Sequence, residues 1–283
     1  MKEFKTNWYK IFQALSLDVV AGAIIFSLAI GRYYGVQIPW SIIIGLSIAT
    51  WIVYTFDHLA DANKIKGLAS TYRHQFHQKY KKALIVAILM FLNIGVITMY
   101  LLPTSVIEIG LVGVFFCFVY FLLLQKTSFW AKEFYVAVLY TFGLFIGPVF
   151  LSYQYIKVIQ WLLVPQVFLL AFSNLLIFSW FDFFNDKQDK QPSMIIHWGI
   201  KKAKKRIQFV LAIGVIYSLI IIILNFNEPT SVLQTTILLM YSVLILLFKK
   251  DYLFRKNDLY RIIGDGIFYL PLLFIVYAKL RQL

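Results

Sequence analysis

Apolar runs of about twenty residues recur from one end of this chain to the other, separated by short turns or longer polar connections. A helix of that length spans about 30 Å, the thickness of a bilayer's hydrocarbon core. The runs are continuous rather than alternating, which excludes the ten-residue strands of a membrane β-barrel. The pattern predicts nine spans, at about 11–31, 40–61, 82–102, 105–125, 132–153, 160–186, 205–225, 231–249 and 260–279. Turns rich in Gly, Pro, Asn or Ser fall at 35–39, 103–105 and 225–230, and polar connections occupy 62–81, 187–204 and 250–259. The expected fold is an all-α integral membrane protein, a bundle of about nine transmembrane helices forming one domain over 1–283. The connections 62–81 and 187–204 are expected to cap one side of it.

Composition agrees with this reading. Of 283 residues, 61% are hydrophobic and 14% charged, against about 25% charged in a soluble domain. The single cysteine, Cys117, lies in an apolar run and reads as a small buried or lipid-facing residue, with no disulfide framework. Met1 to Lys5 lead into a run too long for a signal peptide and without a cleavage site, hence the first span.

Charge sets the orientation. Of 27 Lys and Arg residues, 23 fall on the side of the N-terminus and of the connections after the second, fourth, sixth and eighth spans. Only Arg32, Lys157, Lys279 and Arg281 fall on the other. The positive-inside rule then puts the N-terminus in the cytoplasm and the C-terminus outside, in a multi-pass protein of the cytoplasmic (inner) membrane. The net charge of +14 is mostly a rim facing anionic headgroups, so nucleic acid is not an expected partner. The run Lys201, Lys202, Lys204, Lys205 and Arg206 reads as such an anchor.

Two stretches interrupt the apolar pattern with carboxylates. Phe56-Asp57 to Asp61 and Phe181-Asp182 to Asp186 both read Phe-Asp-x-x-x-Asp, and each closes a span that runs outward to inward. A spacing of four stacks the two acids on one helical face. The C-terminal end of a helix is electrostatically wrong for anions, and four carboxylates together repel one another. A bound Mg²⁺ relieves both problems, because it takes oxygen ligands and shares them with substrate phosphates. Asp57, Asp61, Asp182 and Asp186 are therefore the expected metal ligands and catalytic residues, in a site facing the cytoplasm.

These motifs resemble those of the UbiA-type intramembrane prenyltransferases, nine-helix bundles with one Asp-rich motif after the second helix and another after the sixth. Asp182-x-x-x-Asp186-Lys187 is similar to that family's second motif. Ser193 stands where a Thr usually follows, and Gly199 comes six residues later, as in the family's TLxxxxG. Lys132, opening the fifth span ahead of Gly143, Gly147 and Pro148, resembles the family's diphosphate-contacting Lys. The first motif departs from NxxxDxxxD: Asp57 stands for the Asn and Ile65 for the third carboxylate, with Asn63 out of register. After the second motif, Lys190 occupies a position often held by Gly or Asp, with Asp189 one residue earlier. The resemblance implies a Mg²⁺-dependent transfer of a prenyl group from an isoprenoid diphosphate to a small-molecule acceptor within the membrane, by a divergent member. It implies substrate-binding roles for Lys132, Arg73, Lys187, Asp189, Asp265 and Tyr54.

Other residues carry weaker signals. The connection from Ser70 to Lys79 is polar, and Arg73 is expected to reach the diphosphate from a lid formed there; His74 and His77 are three apart, without the Cys or HExxH of a zinc site. Asp265, between two glycines inside the ninth span, is expected to face the bundle interior and to orient acceptor or metal-bound water. Glu133 is expected to pair with Lys132; Asp18 and Glu108 have no assigned role. Phe181, Phe183, Phe184, Trp180 and Tyr54 lie near enough to the acids in sequence to face a developing carbocation.

Competing readings are a transporter-like or non-catalytic lipid-binding relative, or a terpene cyclase on the same scaffold, which needs the same carboxylates and no acceptor. A transporter more often places ionisable groups near the midplane. A CDP-alcohol phosphotransferase would need a continuous DxxDGxxAR pattern that is absent. No obligate protein partner is inferable.

Overall fold

The computed structural model describes residues 8–124, 130–226 and 228–281. Lys2, Lys5 and Lys126, counted above on the basic side, lie outside the described residues. The described chain is helical: α1 Trp8–Ala14, α2 Leu17–Tyr33, α3 Trp40–Lys64, α4 Tyr72–Lys79, α5 Lys81–Met99, α6 Thr104–Leu124 and α7 Lys132–Ser152. There follow α8 Leu163–Gln188, α9 Met194–Trp198, α10 Ile200–Leu224, α11 Ser231–Lys249, α12 Asp251–Phe254, α13 Leu259–Gly266 and α14 Leu272–Leu280. Among the described residues, eight helical stretches are long and apolar enough to cross a membrane, and α1 with α2 passes as a ninth if this bent pair is one span. The protein is a multi-pass integral membrane protein.

The differences from the predicted spans have local causes. The first span is not one continuous helix: Ser16 takes a left-handed conformation (φ 54°) and α1 meets α2 at 67°. The ninth is also interrupted, as α13 passes through a 3-10 turn at Ile267–Tyr269 to Pro271, which has no N–H to donate to a continuing helix. Helix α10 begins at Ile200, earlier than expected, because the basic run 201–206 is itself helical. Both long connections are folded: 62–81 contains α4, and 187–204 contains α9.

The principal core joins α2, α7, α8, α10, α11 and the α13–α14 segment around Phe26, Leu144, Leu170, Leu176, Ile237 and Phe274, all nearly inaccessible. Helices α5 and α6 carry much of their apolar surface outward, at residues such as Leu89, Val96, Val114 and Phe118. That is the arrangement of helices whose outer faces meet acyl chains rather than protein. Close approach depends on small residues: a Cβ on Gly147 of α7 would stand 2.5 Å from Ile42 of α3.

Candidate active site

Helices α3, α7, α8 and α13 bring their polar ends around one cavity of about 270 Å³, with α4 across it and the start of α2 on a further side. Asp57, Asp61, Asp182 and Asp186 all line it, although the two motifs are far apart in sequence. So do Lys132, Arg73, Asp265 and Tyr54. The spacing of four in each motif has put both acids of each on the inward face.

The first pair is held by a cation from α7. Lys132 Nζ lies 2.9 Å from Asp57 Oδ2 and is also bonded to Asp61 Oδ2. Tyr120 of α6 donates to Asp57 Oδ1 at 2.7 Å. The second pair is asymmetric. Asp182 accepts from Tyr260 Oη at 2.5 Å and forms an ion pair with Arg261, both on α13. Among the described residues, no hydrogen bond or ion pair holds the Asp186 carboxylate.

Two expected residues stand elsewhere. Lys187 is exposed and does not line the cavity, because it follows Asp186 by one residue and so turns about 100° away on α8. Asp189 does not line it either: its carboxylate accepts from the Ser70 backbone N–H (3.0 Å) and hydroxyl (2.8 Å), clasping the two long connections together. Glu133 does not pair with Lys132 through a hydrogen bond or ion pair; it accepts from Ser179 Oγ (2.5 Å) and from the Met194 N–H (3.0 Å), which docks α9 onto α7 and α8. Ser193 caps α9 by accepting from the Ile196 N–H, and Gly199 ends that helix with φ 72°, which a side chain would disfavour. The Ser193-to-Gly199 spacing is thus the length of one capped helical turn beside the second motif. Glu108 is exposed on α6. Among the rings near the acids, Phe181 stacks on Tyr260 at 4.3 Å and Phe184 is exposed.

Helix α4 is pinned over the first motif. Thr71 caps it, and Gln78 donates to the Ala62 and Gly67 carbonyls while accepting from the Ala69 N–H. Arg73 reaches the cavity with its Nε unpartnered. His74 and His77 are buried, and His77 Nδ1 lies 2.8 Å from the Arg73 carbonyl oxygen while its ring packs on His58. Burial lowers the His74 pKa to about 3, helped by Arg73, Lys132 and Arg261 and opposed by Asp182. Burial likewise lowers His77 to about 4, with Arg73 adding to it and the Arg73 carbonyl and Asp57 opposing. Both rings are therefore neutral in the folded protein at pH 7. Because these pKa values lie below the ordinary 6.5, their contribution to stability is complete above about pH 6.5 and is lost as pH falls toward them. Amide hydrogen exchange, corrected for its intrinsic pH dependence, is expected to show residues 72–79 losing protection between pH 7.5 and 5 while α11 keeps its own.

Arg261, Tyr260 and Tyr120 were not singled out by the sequence pattern. Arg261 was legible only as one more basic-side charge, yet it precedes Asp265 by one helical turn at the start of the last span, a spacing that marks both as inward-facing.

The cavity's charge explains what it can hold. Eight carboxylates line it against four Lys or Arg side chains, in a protein whose overall charge is +14. A phosphate group would be repelled from such a wall unless divalent cations entered with it. Among the described residues, no three His, Cys, Asp or Glu side chains are grouped closely enough to form a ready-made metal cage. Mg²⁺ does not require one, since one or two carboxylates suffice when phosphates and water complete its octahedron. The all-oxygen donor set of Asp61, Asp182 and the unpaired Asp186 fits that ion.

No family model matches the sequence, and no curated protein matches it. Its fold is that of solved UbiA homologues. It is similar to a UbiA homologue from Archaeoglobus fulgidus bound to GPP and Mg²⁺, with a TM-score of 0.67 at 16% identity, covering 95% of this chain and 98% of that one. An apo UbiA homologue from Aeropyrum pernix K1 superposes with a TM-score of 0.70 at 13% identity over 94% of this chain and 98% of that one. A digeranylgeranylglyceryl phosphate synthase gives 0.56 at 17% identity, over 95% and 99% respectively.

Proposed function

We propose that the protein is a prenyltransferase that moves an isoprenoid chain from its diphosphate to a small-molecule acceptor within the membrane, with Mg²⁺ as cofactor. One observation carries the reading: two sequence-distant Asp-x-x-x-Asp motifs meet on one cavity that has a surplus of carboxylates. The fold supports it, because the Archaeoglobus fulgidus homologues share it and were solved with GPP or DMAPP and Mg²⁺. Asp61, Asp182 and Asp186 would hold the metal, which neutralises the diphosphate as the allylic C–O bond ionises. Lys132, Arg73 and Arg261 are the cations within reach of the leaving group, most effective where water is excluded. The clasp of Ser70 on Asp189 and the pinned α4 lie across the polar end, and the apolar lining of Val136, Ala171 and Leu175 would receive the start of the prenyl tail. The asymmetry of Lys and Arg supports a cavity facing the cytoplasm, with the N-terminus inside and the C-terminus outside, in the cytoplasmic membrane.

Binding of geranylgeranyl diphosphate to the purified protein in nanodiscs, with Mg²⁺ and with EDTA, tests the reading. Binding at least tenfold tighter with Mg²⁺ is the expected result. Equal binding in EDTA, or none with shorter and longer donors as well, would overturn it.

A further inference from the structure

The cavity has two polar layers, and only the upper one is used by the chemistry above. Each helix that contributes to the upper layer also contributes a polar side chain below it. Asn174 lies eight residues before Asp182 on α8, Tyr140 eight after Lys132 on α7, Tyr54 seven before Asp61 on α3, and Asp265 four after Arg261 on α13. At 1.5 Å per residue these are about 6–12 Å deeper. All four line the cavity, as does Asp18 at the start of α2, beside Tyr269, whose hydroxyl donates to the Asp18 carbonyl at 3.0 Å.

Asn174 is the telling member. It is only 3% exposed, and its Oδ1 has no hydrogen-bond partner. A buried amide oxygen left this way is unfavourable unless something completes it. It faces α13: a Cβ on Gly264 would stand 2.9 Å from that Oδ1 and 2.3 Å from the Phe178 ring. The glycine beside Asp265 thus leaves room for the Asn174 amide and the Phe178 ring against α13. Among the described residues, the Asp265 carboxylate has no hydrogen bond or ion pair either. Asp18, Arg261 and Arg73 are the charges that act on it.

We propose that this lower layer is the acceptor subsite, and that it takes an acceptor bearing hydroxyl or amine donors that is uncharged or cationic, not an anionic acid. The inference rests on the prenyltransferase reading and names the class of its second substrate. The two carboxylates offer only acceptors of hydrogen bonds, while the Asn174 amide and the phenols of Tyr54 and Tyr140 can donate or accept. Phe178 and Phe268 add apolar walls that suit a ring or chain. A carboxylate-bearing acceptor would meet Asp18 and Asp265 with like charge. Of the cations, Arg261 is committed to Asp182 and Lys132 to Asp57 and Asp61, and Arg73 is the charge left acting on Asp18 and Asp265, one cation against two carboxylates.

The test uses the full chain in nanodiscs with geranylgeranyl diphosphate and Mg²⁺. Three probes share one phenol ring and differ in charge: hydroquinone, tyramine and 4-hydroxybenzoate, supplied as an equimolar mixture. Prenylated hydroquinone and tyramine are each expected to exceed prenylated 4-hydroxybenzoate at least tenfold. Asp265→Asn should cut the advantage of tyramine at least fivefold while donor binding stays within threefold, and Asn174→Ala should lower the yield from hydroquinone. If the donor binds but 4-hydroxybenzoate reacts as well as the others, or no probe reacts, the subsite inference is wrong and the donor reading survives. If the donor itself fails to bind, the prenyltransferase reading falls first. Should a variant fail to fold, the wild-type preference alone decides.

Discussion

Asp186→Asn is expected to reduce Mg²⁺-dependent binding of an isoprenoid diphosphate by at least tenfold while leaving the folded protein intact. Asp186 lines the cavity but holds no cation or hydrogen-bond donor among the described residues, so its removal breaks nothing inside the bundle. Replacing the carboxylate with an amide of the same shape removes a negative ligand at the point where metal and phosphate must meet. A tenfold loss corresponds to about 1.4 kcal/mol. Asp182→Asn should behave differently. Its carboxylate is bonded to Arg261 and Tyr260, and an unpaired buried cation costs on the order of 3–5 kcal/mol. That variant should therefore lose both binding and thermal stability. Titration of the donor by isothermal calorimetry, with melting followed by intrinsic fluorescence, separates the two. Lys201→Ala with Lys202→Ala serves as the control, since both side chains are exposed on α10 and neither lines the cavity. Unchanged binding in Asp186→Asn would remove that residue from the site.

The parts of this structure that follow from solvent and period alone were legible in the sequence. Continuous apolar runs fix helices in a bilayer because no other local structure satisfies the backbone there. A spacing of four fixes which two acids share a face, and all four motif carboxylates line one cavity. What was not legible depends on partners distant in sequence. Glu133 adjoins Lys132 in the chain, but neighbours on a helix point about 100° apart. Its carboxylate goes to Ser179 and Met194, while Lys132 turns to α3. Lys187 fails for the same reason. Arg261 could be seen only as a charge, and Asp189 was expected at the substrate, since one finds its partner 79 residues away and the other 119. The break at Ser16 has no sequence mark beyond a lone serine, because it depends on where α1 leaves the bundle.

Lys132→Met is expected to have the second large effect, and its sign depends on the metal. Lys132 is bonded to both acids of the first motif, whereas Lys64 lies 3.9 Å from Asp61. Methionine keeps most of the side chain's volume and apolar stem, so packing against α3 is retained while the charge is lost. Asp57 then keeps the Tyr120 hydroxyl and Asp61 the more distant Lys64, and neither retains the ammonium that joined them. In EDTA the variant should melt below the wild type, because leaving buried carboxylates unpaired costs several kcal/mol. Adding Mg²⁺ should restore much of that loss, more than it stabilises the wild type, where the ammonium already occupies Asp61. Turnover should nevertheless stay low, by about 10²–10³, since the charge that would follow the leaving diphosphate is gone. Lys132→Arg should recover stability better than turnover, because the planar guanidinium pairs well with carboxylates but cannot reach every position that a flexible ammonium can. Melting curves at matched Mg²⁺ and EDTA concentrations, set beside single-turnover rates, resolve the two roles. If Mg²⁺ stabilises wild type and variant equally, Lys132 and the metal do not share Asp61, and the first motif would then be a structural ion pair rather than half of the site.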